Sequence, residues 1–518
     1  MLDVAVIGAG PTGLMLASEL ALAGVDVEVY ERRREPQKQS RALTLHPRSI
    51  EIMDLRGYAD RFLDNRTTFP SWHFAGLDTR LDFSEFSSRH PYTLSIPQSE
   101  TETLLSERVS QLGVPVHRDR EVTRLHDGRE SMEVVFADRA QTSVHARYVV
   151  GCDGSRSVVR KSASITFDGT DETFTGILGD FASVDSNSIA HARSHGVLVV
   201  PLENGLTRFV LSAPDRMRVS SSEPVTVEEV RQALISLCGN DCGVADAHWL
   251  SRFGNATRLA GQYRSGRVFL AGDAAHIHFP AAGQGLNAGL QDAFNLGWKL
   301  AAEIHGWAPT GLLDTYQHER RQVGQMLTDN TQVQTLLLEL ALIPQYAPPL
   351  AALRSLFDRM LNSREINHQL AGEISGLSTT YIDPAGDPLV GRRVIDLALS
   401  TPDGSVTRVA DLMHSGRFLL LDFTGAQSDE WADHVTTPVL TDFERHPEYE
   451  AVHEILIRPD GHIAWVGRAA DPIMRRSERR RALSDWIGQC RTERESWTPH
   501  IKLATSTDLH HRPKEPTR

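Results

Sequence analysis

The stretch DVAVIGAGPTGLMLASELALAGVDVEVYE, residues 3–31, decides the fold. Its opening, DVAVIG (3–8), is a short apolar, β-branched run of the kind that forms a buried strand. PTGLMLASELALAG (11–24) consists of helix formers and closes on Gly24, a helix stop. VDVEVYE (25–31) returns to strand. Strand, helix and strand predict a βαβ unit and hence a parallel sheet. Between strand and helix lies GAGPTG, with Gly8, Gly10 and Gly13 in G-x-G-x-x-G spacing and Pro11 and Thr12 at the helix start. Gly8 permits the tight turn, Gly10 lets a pyrophosphate approach the backbone, and Gly13 lets helix and strand pack closely. The helix N-terminus offers unpaired N–H groups and a positive dipole end to the phosphates. Glu31, ending the second strand, would accept a hydrogen bond from an unphosphorylated ribose, which suits FAD or NAD better than NADP. A glycine turn without a ligand is the alternative, but here strand, helix and acid stand in register.

Working outward, AQTSVHARYVVG (140–151) reads as a later strand of the same sheet, leading into CDGSRSVVRK (152–161). From about 176 to 262 the texture changes to strands with a turn at Asn204–Gly205, which predicts a mostly antiparallel sheet. RVFLAG (267–272) resumes the buried-strand pattern, so the first domain is discontinuous and the sheet domain is inserted in it. Residues 286–304 repeat apolar positions at helical spacing, and more helix follows to about 375. STTYIDPAGDPLVGRR (378–393) reads as a linker. RFLLLDFTG and VHEILIRPDGHIAWVG then predict strands, with a hairpin around Pro459-Asp460-Gly461, and a helix follows. The expected division is 1–175 with 263–377 for the nucleotide-binding domain and its helical extension. Residues 176–262, with part of 70–105, form a substrate domain, 388–495 a small α/β domain, and 496–518 a flexible tail.

The bulk numbers set limits. A chain of 518 residues predicts two to four domains. A net charge of −13 argues against nucleic acid as the main partner, since phosphate binding needs a basic face. The four cysteines, Cys152, Cys238, Cys242 and Cys490, hold one C-x3-C pair and no second, so no zinc site is expected and a reducing cytoplasm suits the chain. The N-terminus enters a strand pattern at once, predicting no signal peptide. Without a run of 18 apolar residues, no membrane span is expected.

Other stretches carry candidate chemistry. SRALTLHPRSIEIM (40–53) sets Arg41 and Arg48 around a helix start, suited to phosphate or equally to a surface charge. Gln98 precedes a capping pattern in IPQSETETLL (96–105). SWHFAGL (71–77) groups Trp72, His73 and Phe74, and Arg208 lies on an expected sheet strand. Trp72 and Phe74 are candidates to pack a substrate ring and Arg208 to bind its oxygens, against the alternative of core aromatics and a strand-surface arginine. GDAAHIHFPAAGQGLN (272–287) offers Asp273, His276 and His278 as a metal set, or a glycine loop in which Gly283 and Gly285 admit backbone N–H groups to a ligand.

Four stretches stand together: GAGPTG with Glu31, SRA (40–42), GCDGSRSVVRK (151–161) and FLAGDAAHIHFPAAGQGLNAGLQDAFNLGWKL (269–300). In these the chain resembles the class A FAD-dependent aromatic hydroxylases of the p-hydroxybenzoate and phenol hydroxylase type, and among them the actinobacterial aromatic-polyketide hydroxylases and rifampicin monooxygenases. The resemblance implies an α/β fold: a Rossmann-like FAD-binding domain, an inserted antiparallel substrate domain and a thioredoxin-like C-terminal domain. The last has no C-x-x-C and so no dithiol chemistry, and a packing or assembly role is expected for it. The resemblance also implies that Thr12, Gly13, Glu31 and Arg32 hold the ADP half of FAD. Arg41 would reach the pyrophosphate, Gln98 and Asp273 the ribityl chain, and Val122 the adenine by its backbone. Asp153, Gly154 and Arg156 would be shared with the nicotinamide cofactor. Pro280, Gly283, Gly285, Leu286 and Asn287 would lie at the flavin ring, which recasts the metal reading of 273–278 and leaves His276 and His278 unassigned, most simply as hydrogen-bonded loop residues. With no second G-x-G-x-x-G, NADPH or NADH would bind transiently in a groove and meet a mobile flavin.

The chemistry so implied is insertion of one oxygen atom from O2 into a polycyclic aromatic polyketide or antibiotic through a flavin C4a-hydroperoxide. Residues 284–304 would aim a helix N-terminus, roughly half a positive charge, at the flavin pyrimidine edge. No side-chain nucleophile, triad or metal cluster is evident. Inactivation of a rifamycin-type antibiotic, Baeyer–Villiger oxygenation, a dehydrogenase without oxygen transfer and a non-enzymatic FAD-binding redox sensor stay open as alternatives, as does a homodimer.

Overall fold

The computed structural model describes residues 1–139, 141–182, 184–202, 205–212, 215–381, 386–425, 431 and 433–488. Strand Leu2–Ile7 runs into helix Pro11–Leu22, which begins at a proline whose φ is already helical, and strand Val27–Glu31 follows. The first strand pairs in parallel with Val27–Glu31 on one side and with Ser143–Gly151 on the other. Strand Val268–Leu270 extends the sheet in parallel beyond Ser143–Gly151, and Val116–Arg118 extends it beyond Val27–Glu31. The register aligns Ile7 with Tyr30, Ile7 with Gly151 and Gly151 with Leu270. Four strands therefore end at one edge, and their four following loops emerge side by side, where ligands of open parallel sheets bind.

Helix Gln284–Ile304 is buried along nearly its whole length and lies against Pro11–Leu22. Two glycines allow that approach. A Cβ at Gly297 would come within 2.6 Å of Glu19 Cβ, and one at Gly289 would strike the Thr12 hydroxyl. The helical extension is observed as Leu312–Glu339, Ala347–Leu361 and Arg364–Ser375.

The inserted region holds a four-stranded antiparallel sheet of Leu198–Pro201, Leu206–Leu211, Thr175–Ala182 and Ala247–Gly254. It has its own core, with Phe181 and Phe209 packed under Leu234 of a helix, Val227–Cys238. The strand and turn pattern of this stretch predicts no helix. Yet Thr226 caps that helix by accepting from the Glu229 N–H, and Gly239 stops it at φ +79°. Asn204 of the expected turn lies outside the described residues, as do 382–385 of the expected linker, Cys490 and the tail 496–518.

The C-terminal region forms a sheet in which Phe418–Asp422 pairs in parallel with Val435–Thr436 and antiparallel with Glu454–Ile457, which makes a hairpin with Ile463–Gly467. Helix Pro472–Ile487 follows. The hairpin turns at Gly461, φ +74°. The region is not detached: Leu419, Ile455, Ile457 and Ile463 belong to the same continuous apolar core as Val4, Val6 and Leu16. Among the described residues no helix is long and apolar enough to cross a membrane.

Candidate active site

The edge of the parallel sheet gathers the glycine motifs. Gly8, at φ +108°, lies against Cys152, and a Cβ there would collide with the Cys152 carbonyl and stand 3.2 Å from Asp153 Cα. A Cβ at Gly13 would collide with the Gly8 carbonyl, and one at Gly272 would lie 2.7 Å from Thr12 Oγ1. Thr12 is thus the point where the first glycine turn touches the second. Gly10 differs: a Cβ there would meet no protein atom within 4 Å. Nothing among the described residues asks for glycine at that position, and its bare backbone faces open space.

The surrounding groups fit FAD. Glu31 is buried and accepts from the Ala9 N–H at 2.9 Å and the Arg33 N–H at 2.9 Å, one on each oxygen. Each oxygen keeps a lone pair for a ribose hydroxyl. Asp153 accepts from the Val158 and Val159 N–H groups through Oδ2 at 2.7 and 3.2 Å, while its Oδ1 is buried and has no partner among the described residues. Burial pushes its carboxyl above the ordinary range against those bonds. The helices Pro11–Leu22 and Gln284–Ile304 both start without a side-chain cap, leaving first-turn N–H groups for an anion or an oxygen. Arg160 ties two of the loops together, donating to the Ala274 and Ser155 carbonyls at 2.9 Å each.

The other expected contacts fall as follows. Arg32, Arg41 and Arg156 are exposed, and Gly154 turns at φ +80°. The Arg120 N–H donates to the Glu31 carbonyl at 2.9 Å, which brings the buried Val122 to the same edge. The Gln98 N–H donates to the Ala42 carbonyl at 2.9 Å, and its side chain to Glu102 at 2.8 Å. Asp273 and Pro280 present exposed surface, and the protein crowding round Asp273 still raises its carboxyl above the ordinary range. Gly283, Gly285 and Leu286 are half-buried. Asn287 is buried, and its side chain is engaged with the protein: Oδ1 accepts from the His46 N–H at 2.7 Å and Nδ2 donates to the Gly283 carbonyl at 2.9 Å.

Two substrate expectations change. Arg208 is 1% exposed, and its guanidinium is bound to both Asp180 oxygens at 2.7 and 2.8 Å and to the Arg41 carbonyl at 3.2 Å. A buried cation so paired braces the inserted sheet against the 40–42 segment instead of reaching out to substrate. Phe74 is buried in a cluster with Phe357, ring centroids 6.4 Å apart, and is a core aromatic. Trp72 is half-buried, and its indole N–H donates to the Ala282 carbonyl at 3.0 Å, within the second glycine turn. Arg48, the other arginine of its segment, is buried, salt-bridged to Glu51 at 2.9 Å and bonded to the Asp460 carbonyl at 2.8 Å.

His276 is hydrogen-bonded, as expected, and its partner lies outside the loop on the following helix. It is buried, and its Nε2 lies 2.8 Å from Asp292 Oδ2, which also accepts from the Gly272 N–H at 3.0 Å. Arg320 holds the other Asp292 oxygen at 2.7 Å. Burial alone would raise the Asp292 carboxyl, but Arg320 and His276 outweigh it and hold it below its ordinary range. His278 lies with Nδ1 2.6 Å from the Phe279 carbonyl, and burial pushes its imidazole down to about 4. No group of three or more His, Cys, Asp or Glu among the described residues is placed to hold a metal ion. The sequence reading missed His46, Asp292 and Arg320, whose partners lie far along the chain.

The comparisons agree with this geometry. The chain matches a model of FAD binding domains over residues 1–331 and a model of aromatic-ring hydroxylase C-terminal domains over residues 387–490. It is 42% identical over 504 residues to a rifampicin monooxygenase of Rhodococcus hoagii, covering 95% of this chain and 100% of that one. It is 40% identical over 507 residues to a 12-dehydrotetracycline 5-monooxygenase/anhydrotetracycline 6-monooxygenase of Streptomyces rimosus, covering 94% and 99%. The solved structure of the anhydrotetracycline hydroxylase OxyS from Streptomyces rimosus superposes with a TM-score of 0.85 at 38% identity, covering 94% of this chain and 99% of that one. The converging glycine turns and the matching of both parts of the chain lead to one family: the chain belongs to the FAD-dependent aromatic-ring hydroxylases and is a flavoprotein monooxygenase.

Proposed function

We propose that this protein inserts one oxygen atom of O2 into a polycyclic aromatic polyketide or antibiotic, with NADPH or NADH as the electron donor. The observation that carries the FAD reading is Gly10, a glycine that the protein's own packing does not require, between an uncapped helix and an acid with lone pairs to spare. Relatives named for rifampicin and for anhydrotetracycline, alike over nearly the whole chain, support the substrate class.

In this reading Gly8, Gly10, Pro11, Thr12, Gly13, Glu31 and Arg32 hold the ADP end, with the Val122 backbone near the adenine. Arg41 meets the pyrophosphate, and Gln98 and Asp273 bind the ribityl chain. Asp153, Gly154 and Arg156 line the region shared with the nicotinamide cofactor. Pro280, Gly283, Gly285, Leu286 and Asn287 surround the ring, Asn287 by setting the backbone around it. FAD, when bound and reduced, activates O2 for attack on an electron-rich ring. The chain's part is to bind, to orient and to exclude water. The uncapped N-terminus of Gln284–Ile304 favours negative charge on the reduced ring. The half-buried Trp72, next to the second glycine turn, is the expected contact for a substrate ring.

We also propose a thioredoxin-like arrangement for the C-terminal domain, supported by one parallel strand pair, a hairpin and a closing helix. The purified FAD-loaded protein is to be incubated with NADPH, ¹⁸O₂ and a panel containing rifampicin and anhydrotetracycline. One labelled oxygen in a product is expected. NADPH consumption stimulated by substrate with no label in any product would overturn the reading.

A further inference from the structure

The turn that opens helix Gln284–Ile304 has a conformation that its sequence resists. Ala282 sits at φ +54°, ψ +15°, in the left-handed region, although it carries a Cβ. Gly283 follows at φ +70°. A non-glycine residue stays in that region only where its surroundings impose it.

Two donors converge on the Ala282 carbonyl. His46 Nε2 lies 2.8 Å from it and Trp72 Nε1 3.0 Å from it. A carbonyl only accepts, so His46 carries its proton on Nε2, and its Nδ1 accepts from the Thr93 hydroxyl at 3.0 Å. His46 is fully buried, and burial pushes its imidazole down to about 4 against the pull of the Ala282 bond, so this neutral tautomer persists at neutral pH. The two rings brace each other edge to face, centroids 5.7 Å apart at 77°. The next carbonyl, that of Gly283, is held by Asn287 Nδ2 at 2.9 Å. A trans peptide points its N–H opposite to its carbonyl. Fixing these two carbonyls therefore fixes the directions of the Gly283 and Gln284 N–H groups.

We propose that His46 and Trp72 are positioning residues for the flavin, holding Ala282 in its left-handed conformation so that the Gly283 and Gln284 amides are aimed at the ring before it binds. The proposal rests on the FAD reading above, in which this turn surrounds the ring. It also puts a residue facing the substrate in direct contact with the flavin turn, since the Trp72 indole serves both.

The test uses the full chain stripped of FAD and titrated with FAD, followed by the visible spectrum and midpoint potential of the reloaded protein. Trp72→Phe keeps an aromatic ring, though a smaller one, and removes the N–H. His46→Leu removes the donor, and His46→Gln can replace it. Ala282→Gly makes the left-handed conformation free of its Cβ penalty. Trp72→Phe and His46→Leu are expected each to raise the Kd for FAD about five- to tenfold, the equivalent of one net hydrogen bond, to alter the flavin spectrum and to lower the potential. His46→Gln is expected to stay near the parent. Adding Ala282→Gly to either weakened variant is expected to restore most of the affinity. Parental Kd, spectrum and potential in folded Trp72→Phe would overturn the proposal, as would a loss that Ala282→Gly does not restore. If His46→Leu fails to fold, Trp72→Phe with and without Ala282→Gly decides alone. If the parent itself takes up no FAD, the FAD reading falls, a result distinct from failure of the clamp.

Discussion

Gly8, Gly10 and Gly13 share one motif but are glycine for different reasons. Gly8 needs its positive φ and has the Cys152 carbonyl where a Cβ would go, and Gly13 has the Gly8 carbonyl there. Both are demanded by the fold. Gly10 has open space. Gly10→Ala is therefore expected to leave the Tm of the FAD-free protein unchanged, within about 0.5 kcal/mol, while FAD affinity falls by an order of magnitude or more. Gly8→Ala and Gly13→Ala are expected to cost about 1–3 kcal/mol of stability before any ligand is added. Thermal melts with and without FAD separate the cases, and a loss of stability in Gly10→Ala equal to the other two would remove the argument that Gly10 answers to a ligand. At this scale the sequence was legible where a residue's role follows from its neighbours in the chain. It was not legible for Arg208, because its partner Asp180 sits on the paired strand, across a register that only the folded sheet sets.

Among elements, the strands and helices with strong periodicity lie where the sequence puts them, and the second glycine turn shows what periodicity omits. The loop 272–276 is short and irregular, and its shape comes from Asp292, more than two turns into the following helix. Asp292 holds the Gly272 N–H, His276 and Arg320 together. The sequence displayed His276 beside Asp273 and so suggested a metal set; the true partner of His276 is 16 residues away on a helix. Helix Val227–Cys238 was missed for a different reason. Its capping signal, Thr226 three residues before Glu229, sits in a stretch whose other signals are strands and turns. Asp292→Asn is expected to leave Arg320 buried without its anion, a loss of about 3–5 kcal/mol by urea unfolding, and to weaken FAD binding. The Asp292 carboxyl is depressed in the folded state, so the unfolded chain binds its proton more readily. Its contribution is in place above the ordinary value of 3.8 and is lost as the pH falls below it. Unchanged urea midpoints at pH 7 in Asp292→Asn would show that the loop is held by packing alone.

Over the whole molecule, the C-terminal domain is joined to the flavin-binding core by charge as well as by apolar packing. Arg458, at the hairpin, is 1% exposed and donates to Glu319 of helix Leu312–Glu339 at 2.7 and 2.9 Å, and it also pairs with Asp460. The rings of Trp298, Tyr381 and Trp486 enclose it at 5.4, 5.1 and 5.1 Å. Lys299 reaches the same Glu319 at 2.6 Å. Burial would raise the Glu319 carboxyl, but Arg458 and Lys299 outweigh it and hold it at about 2. Lys299 is pushed the other way, down to about 8, because burial and the like charge of Arg458 work against its attraction to Glu319. One anion thus serves two cations, and Arg458, with Asp460 as a second anion, is the better satisfied. Arg458→Met keeps the apolar stem and removes the charge, leaving Glu319 and Asp460 buried with too little compensation. It is expected to cost about 3–5 kcal/mol at pH 7. The folded Glu319 titrates near 2 where its ordinary value is 4.5, so the unfolded chain binds the proton first. The parent's advantage is therefore complete above about pH 4.5 and drains away as the pH falls toward 2. The gap in urea midpoint between parent and Arg458→Met should narrow across that window. A gap that stays constant from pH 7 to pH 3 would mean that the domain is held by its apolar core and the aromatic enclosure, with the ion pairs contributing nothing net.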